Sequence, residues 1–229
     1  MAAQMPEGKR AAKAPRTQEE KDTTPHVVII LEQAAVEVVK TKKGYELLNC
    51  DEHHGIHKKY KKDPAESRPD ILHQCLLTLL DSPLNKAGKL QVYVQTKNRT
   101  LIEISPHIRI PRTFKRFAGL MVQLMQKMRI RAADSNQTLM RIIKNPVTAH
   151  LPTGAPIYGT HMKGELVDPL ELAASLPNGP VCFVFGAMSK GFISGEDCEK
   201  LYSFSQYPLS ASVALSRLMQ GFEHKWGIL

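Results

Sequence analysis

The run Val181-Cys182-Phe183-Val184-Phe185, followed by Gly186 and Gly191, constrains this chain more than any other stretch. Five consecutive apolar residues, β-branched and aromatic among them, have no polar side to offer solvent. They predict a strand buried on both faces, the kind found in parallel sheets. Two glycines in the loop at the carboxyl end of such a strand let backbone approach a small ligand closely. The spacing GAMSKG fits neither GxGxxG nor GxxxxGK[ST], because Phe192 follows the second glycine where a lysine is needed; this argues against a nucleoside triphosphate. A second loop, Phe204-Ser205-Gln206-Tyr207-Pro208-Leu209, leads into a helix expected over 210–226. Its Ala211, Ala214, Leu215, Leu218, Phe222 and Trp226 recur at helical spacing.

A chain of 229 residues with 42% hydrophobic content can bury a sizeable core, and one α/β domain over 25–229 is expected. Residues 1–24 are rich in Lys, Glu, Ala, Gln and Pro without apolar periodicity, so they are expected to form a disordered head. They hold no apolar segment of the secretory kind. The longest apolar runs, such as 27–31, fall far short of the roughly 20 residues that a membrane helix needs, so a soluble protein is expected. Cysteines at 50, 75, 182 and 198 show no CxxC pairing, and two lie inside apolar runs. That usage favours reduced thiols in a cytosolic or nuclear compartment.

The net charge of +9 is concentrated. Between residues 105 and 145 stand nine basic residues, Arg109, Arg112, Lys115, Arg116, Lys127, Arg129, Arg131, Arg141 and Lys144, against one acid, Asp134. A single basic block in an otherwise balanced chain is the footprint expected for a polyanion partner, most often nucleic acid, although a solvated basic face fits the same composition.

After the head, residues 26–31 read as a buried strand and 32–39 as a short helix on which Ala34, Ala35, Val38 and Val39 cluster, which begins an α/β pattern. A short strand over 47–50 is followed by the polar stretch DEHHGIHKKYKKDPAESRPD. His53, His54 and His57 lie there in a lysine-laden loop with no helical scaffold to fix ligand geometry, so no metal centre is expected. Arg68-Pro69-Asp70 precedes a helix over 71–80. Asp70 can serve as its N-cap and also hold the Arg68 guanidinium; a plain cap beside a spectator arginine fits equally well.

Residues 90–95 and 101–104 alternate apolar and polar side chains and predict a hairpin or adjacent strands. Pro111 blocks an earlier start to the next helix and Thr113 suits its N-cap, with Phe114, Phe117, Leu120, Met121, Leu124, Met125 and Met128 on one apolar face. The methionines fit core or a subunit contact rather than a cofactor box. Arg109, Arg112 and Arg116 surround the start of that helix, where free N–H groups and the dipole already favour anions, and together they form a phosphate or base clamp. Residues 137–143 read as a further short helix. The Gly159-Thr160 segment is placed beside 181–185, and a short helix over 168–174 and a turn over 177–180 follow it.

Laid out in this way, the chain resembles the ribosomal RNA pseudouridine N1-methyltransferases of the Emg1/Nep1 family, within the SPOUT superfamily. The segments that carry the resemblance are YELLNCD, RPDILHQ, LLDSPLNKAG, LQVYVQT, IEISPHIRIPRTFKRFAGLMVQLM, IKNPV, VFGAMSKG and YPLSASVAL, spread over 27–229. The resemblance implies an α/β fold with a C-terminal trefoil knot and a family-specific insertion, and a homodimer. It implies S-adenosyl-L-methionine lined by Thr160, Gly186, Gly191, Phe204, Ser205, Gln206, Tyr207, Pro208 and Leu209. It also implies RNA contacts by Arg68, Asp70, Arg109, Arg112 and Arg116. The implied substrate is a pseudouridine in a loop of small-subunit (18S) ribosomal RNA. The implied setting is the nucleolus of the nucleus, in 40S biogenesis, with pre-ribosomal assembly factors as partners and no membrane.

Pseudouridine N1 carries a proton that must leave as the methyl group arrives, so the site needs in-line geometry and a group that favours the developing anion. Arginine can supply the second. No His, Glu or Cys stands at a motif position as general base, and Asp70 fits better as an orienter of Arg68. A base in a single-stranded loop can leave its stack and be reached. The alternative reading is a non-catalytic ribosomal RNA-binding assembly factor of the small subunit, which needs the basic block but no cofactor.

Overall fold

The computed structural model describes residues 17–133 and 135–229. Among them, α1 (Gln18–Thr23) leads into β1 (Val27–Ala34), then the hairpin β2 (Val38–Thr41) and β3 (Gly44–Leu47), then α2 (His54–Tyr60). Helices α3 (Pro69–Asp81) and α4 (Pro83–Lys86) precede β4 (Leu90–Thr96) and β5 (Leu101–Ile104). Helix α5 (Phe114–Lys127), β6 (Arg129–Arg131) and β7 (Thr138–Ile143) come next. The chain closes with β8 (Ile157–Leu166), α6 (Pro169–Ser175), β9 (Val181–Gly186), β10 (Lys200–Ser203) and α7 (Ala211–Lys225).

Eight of these strands form one sheet in the order β10-β8-β9-β1-β4-β5-β7-β6. The first five run parallel, and β5, β7 and β6 continue antiparallel. β1 is the centre of the parallel part, paired with β9 along one edge and β4 along the other. Its side chains alternate between two cores, as period 2 requires. Val27, Ile29 and Leu31 join the main core with Phe183, Phe185, Leu76 of α3, Phe117 of α5 and Leu218 of α7. Val28 and Ile30 join Tyr93, Cys182, Val184 and Leu151 in a second core on the opposite face. The expected strands over 181–185, 90–95 and 101–104 are present, and Gly159 lies beside Val184 as expected.

Four expectations are corrected. The helix expected over 32–39 is instead the end of β1 and the start of a hairpin. Gln33 takes φ 58°, and the Ala34 carbonyl turns to accept from Val36 N at 3.0 Å and Lys97 N at 3.1 Å, which leaves no continuous helical ladder. The helix expected over 137–143 is strand β7, because Leu101 to Ile104 offers it a complete antiparallel partner. The histidines of the polar stretch do have a helix, α2. His57 is buried with its Nδ1 2.8 Å from the His53 carbonyl, and His53 Nδ1 accepts from Asn49 N at 3.2 Å. They hold the local fold, and among the described residues no group of three or more metal-binding side chains is gathered.

The fourth correction concerns the head expected to be disordered over 1–24. Residues 1–16 lie outside the described residues, but α1 is formed, with a capping box between Thr17 and Glu20. Six residues cannot sustain a helix alone. Docking supplies the rest: Lys21 Nζ donates to the Tyr93 hydroxyl at 3.3 Å and to the His150 carbonyl at 3.1 Å, Gln18 donates to the Leu151 carbonyl at 3.0 Å, and Thr153 N donates to Asp22 at 2.7 Å.

Helices α6 and α7 meet closely at Gly221. A Cβ on Gly221 would stand 2.3 Å from the Pro169 carbonyl oxygen, so only a residue without one lets the two helices meet. Gly→Ala in a free helix gains about 1 kcal/mol. Here overpacking costs about 1–3 kcal/mol and should prevail. Gly221→Ala is therefore expected to lower stability in urea denaturation, and a raised midpoint would show the contact to be softer than the geometry says.

Candidate functional site

A cleft of about 480 Å³ opens at the carboxyl ends of β9 and β10, beside Thr160 of β8. This is where open α/β sheets hold their ligands. Its floor is Gly186 and the loop to Ile193; one wall is the segment from Tyr202 to Leu209, and the others are the first turns of α3 and α7. Of the expected cofactor residues, Thr160, Gly186, Gly191, Phe204, Ser205, Tyr207 and Leu209 line the cleft, whereas Gln206 and Pro208 belong to the same loop but not to its walls. The Thr160 hydroxyl donates to the Val184 carbonyl at 3.0 Å and so ties β8 to β9 at the lip of the cleft. Gly191 has φ +101°, a backbone conformation closed to side-chain-bearing residues. A Cβ there would find no neighbour nearer than Met188 Sδ at 3.6 Å, so dihedral, not space, makes glycine necessary.

Several residues of the cleft escaped the sequence reading. Ile71 and Gln74 of α3 and Ala211 and Ala214 of α7 enter only because those helices begin at its walls. Strand β10, too short to signal itself, carries Tyr202 and Ser203 in. Met162, Phe192 and Tyr207 line it yet are 66%, 63% and 76% exposed. Large apolar and aromatic groups left in water at a cleft mouth are what a ligand with a flat or apolar part would cover.

The glycine loop is anchored to the polar segment that precedes α3. Lys190 Nζ pairs with Asp63 at 3.2 Å, and the Ser189 hydroxyl donates to the Ala65 carbonyl. That segment ends at Arg68, which lines the cleft. Arg68 Nε and Nη2 donate to the two carboxylate oxygens of Asp70 at 2.8 and 2.6 Å, the expected bidentate pair. This hydrogen bonding pushes the Arg68 pKa upward and fixes its cationic form. The capping role expected for Asp70 is corrected: Arg68 is the N-cap, Pro69 fills the first helical position, and Asp70 sits in the first turn with its carboxylate given to Arg68.

Arg116 lies in the first turn of α5, Arg112 just before its N-cap and Arg109 in the loop that leads to it, all exposed. Thr113 is its N-cap, but its hydroxyl makes no capping bond. Arg112 Nη2 donates to Asp81 at 2.8 Å, which holds that carboxylate below its ordinary pKa. Asp81 ends the helix that Arg68 and Asp70 begin, so the two arginine groups of one chain stand about 16 Å apart along α3. The loop between them is clamped by His73, whose Nε2 lies 2.7 Å from the Pro111 carbonyl and whose ring stacks on Phe117 at 4.5 Å.

Among the described residues no carboxylate lines the cleft. Nor, among the described residues, does a cysteine: the four are free and stand elsewhere, and burial raises the thiol pKa of each, to about 12 for Cys75 and Cys182 and about 11 for Cys198.

A sheet whose parallel half ends in a glycine-floored cleft, with a fixed guanidinium in its wall, defines an α/β protein with a small-ligand cleft of cationic lining. The EMG1/NEP1 methyltransferase family model matches residues 29–223. The chain is 49% identical over 215 residues to the ribosomal RNA small subunit methyltransferase NEP1 of Drosophila melanogaster, covering 90% of this chain and 85% of that one. It is 50% identical over 204 residues to the protein of the same description from Homo sapiens, covering 89% and 83%. The crystal structure of Archaeoglobus fulgidus Nep1 bound to S-adenosylhomocysteine superposes with a TM-score of 0.73 at 27% identity, over 88% of this chain and 99% of that one. The chain belongs to the EMG1/NEP1 methyltransferase family.

The raised thiol pKa values carry an expectation. Iodoacetamide at pH 8 should leave Cys75 and Cys182 unmodified in the native protein and alkylate both once it is denatured; mass spectrometry that finds either labelled in the native state would contradict the packing described for α3 and β9.

Proposed function

We propose that this chain uses S-adenosyl-L-methionine to methylate N1 of a pseudouridine in a loop of small-subunit ribosomal RNA. The observation that carries this reading is the position of Arg68, held by Asp70, at the wall of the cleft that Gly186, Gly191, Phe204, Ser205, Tyr207 and Leu209 line. The cleft suits the cofactor. Its volume lies within the range of nucleotide-sized ligand sites, its walls alternate apolar side chains with serine hydroxyls and loop backbone, and Gly191 supplies a close backbone approach. When bound, S-adenosylmethionine supplies an electrophilic methyl group on a sulfonium.

Methylation breaks the bond from sulfur to methyl, forms one from methyl to N1, and releases the N1 proton to solvent. Arg68 favours the negative charge that develops on the ring as that proton leaves. Two of its N–H groups are given to Asp70, which sets the guanidinium plane, and the others are not engaged by any described residue. Asp70 is thus a positioning residue. Arg109, Arg112 and Arg116 hold the RNA backbone around the target base, and the base leaves its stack to reach the cleft.

The knot, the homodimer and the nucleolar setting expected from the resemblance belong to the same proposal, as do the partnership with small-subunit assembly factors and a family-specific insertion. The distance between Arg68 and Arg112 favours a dimer, because RNA seated on the α5 arginines of one chain can then meet the cleft of the other. The α5 stripe is less available for that contact than its sequence suggests, since Phe117, Met121 and Leu124 are buried in their own chain. Val213 of α7, with Leu209 and Tyr207 beside its start, is exposed and offers the better face.

Two variants separate the halves of this reading. Gly191→Val should reduce S-adenosylmethionine affinity at least tenfold by calorimetry and leave RNA affinity nearly intact. Arg109→Ala/Arg112→Ala/Arg116→Ala should do the reverse, at about 1–3 kcal/mol for any arginine that reads a base. Wild-type binding of target-loop RNA by the triple variant would sink the RNA half. No rise in melting temperature with saturating S-adenosylmethionine would leave only a non-catalytic assembly factor. For the product, nucleoside mass spectrometry of small-subunit RNA should lose N1-methylpseudouridine, or a derivative built on it, when this protein is depleted.

A further inference from the structure

The nine basic residues between 105 and 145 do not form one patch. Arg109, Arg112, Lys115 and Arg116 stand at the start of α5, and Arg129, Arg131 and Arg141 lie beyond its other end. The helix of 14 residues keeps the two groups about 20 Å apart. The proposed reaction uses the first group only.

The second group stands on the antiparallel half of the sheet. Register sets Tyr93 opposite Glu103, Glu103 opposite Arg141, and Arg141 opposite Arg129. Directly opposed residues share a face, so these four side chains form one row across β4, β5, β7 and β6. The neighbouring row, Val92, Ile104, Met140 and Ile130, is buried in the main core on the other face. Arg141 is bonded to the Glu103 carboxylate, but Arg129 meets no acid among the described residues. Two guanidiniums facing each other across adjacent strands repel, and nothing in the row offsets the second. Lys21, reaching from α1 to the Tyr93 hydroxyl at 3.3 Å, adds a third cation to this face. A cavity of about 360 Å³ opens there, lined by Lys21, Gln91, Glu103, His107 and Arg141 among others.

The row carries two arginines against one carboxylate, and a face left net positive in this way invites a polyanion. Among the described residues between Lys127 and Leu151, Met128 at 54% is the one large apolar side chain left exposed, so the face offers few of the apolar anchors that dominate protein–protein contacts. We propose that this face is a second RNA site, taking sugar-phosphate backbone outside the target loop. The inference rests on the RNA reading above. β7 lies four strands from β9, about 19 Å at ordinary strand spacing, so the RNA held on this face is a different part of the chain from the nucleotide in the cleft, and extending the flanking helix supplies it.

The test compares two RNAs, the minimal target loop and the same loop with its flanking helix extended, across several salt concentrations. Arg129→Gln removes one charge and the like-charge contact, so its melting temperature should equal or exceed that of wild type. Glu103→Gln/Arg129→Gln/Arg141→Gln neutralises the row without leaving a lone carboxylate. For this variant, affinity for the extended RNA should fall about tenfold and its salt slope shrink by roughly one to two units, with minimal-loop binding within about twofold of wild type. Unchanged affinity and slope for the extended RNA would overturn the inference. So would loss of binding to a poly-glutamate peptide with both RNAs unaffected, since that would assign the face to an acidic protein segment. Failure of the underlying RNA reading has a different signature: wild-type protein would then prefer neither RNA to an unrelated sequence.

Discussion

The whole arrangement depends on β1 being hydrogen-bonded along both edges while both of its faces are buried. Such a strand has no tolerance for slippage, because a shift of one residue would exchange Val27, Ile29 and Leu31 with Val28 and Ile30 between two differently shaped cores. The cleft inherits that rigidity. Gly186 is the register partner of Glu32 at the end of β1, and Ala187 N donates to the Glu32 carbonyl at 2.7 Å, so the glycine loop begins at a point fixed by the strand beside it. The loop's outer part is then held by Lys190 and Ser189 to the segment that ends at Arg68. Ligand floor and anion-binding arginine are thereby positioned by one continuous set of contacts.

Where a segment's own pattern agrees with its surroundings, the fold was legible. The all-apolar run of β9, the alternation in β4 and β5 and the helical spacing in α5 and α7 each say alone what the sheet and core also require. The failures were conflicts between local pattern and distant partners. In β7, Leu139, Ile142 and Ile143 fall at helical spacing, but an edge of β5 waits for them and pairing prevails. In the polar stretch, composition conceals α2, whose single large buried anchor, His57, is not apolar. α1 has a capping sequence, but its order comes from contacts with Tyr93, His150 and Leu151, more than 70 residues away.

The candidate site was legible to the degree that its residues carry their own signals. Glycines after a buried strand and arginines before a helix are such signals, and they located the floor of the cleft and the α5 cluster. Residues that enter only through tertiary placement, such as Gln74 and Ala214, have none. The basic block shows the opposite error. Nearness in sequence suggested a single patch, and the length of α5 divides it into two.

The order of the strands along the chain also has a temporal side. β1 leaves the ribosome before its partners, and β4 can protect one of its edges soon afterwards. The other edge waits for β9, about 150 residues downstream, which at ordinary translation rates of some 5–20 residues per second takes roughly 8–30 s. Through that interval Val27 to Leu31 presents an unpaired, wholly apolar strand edge, the kind of surface that recruits other chains. During synthesis, then, the second edge of β1 is protected only once β9 has been made.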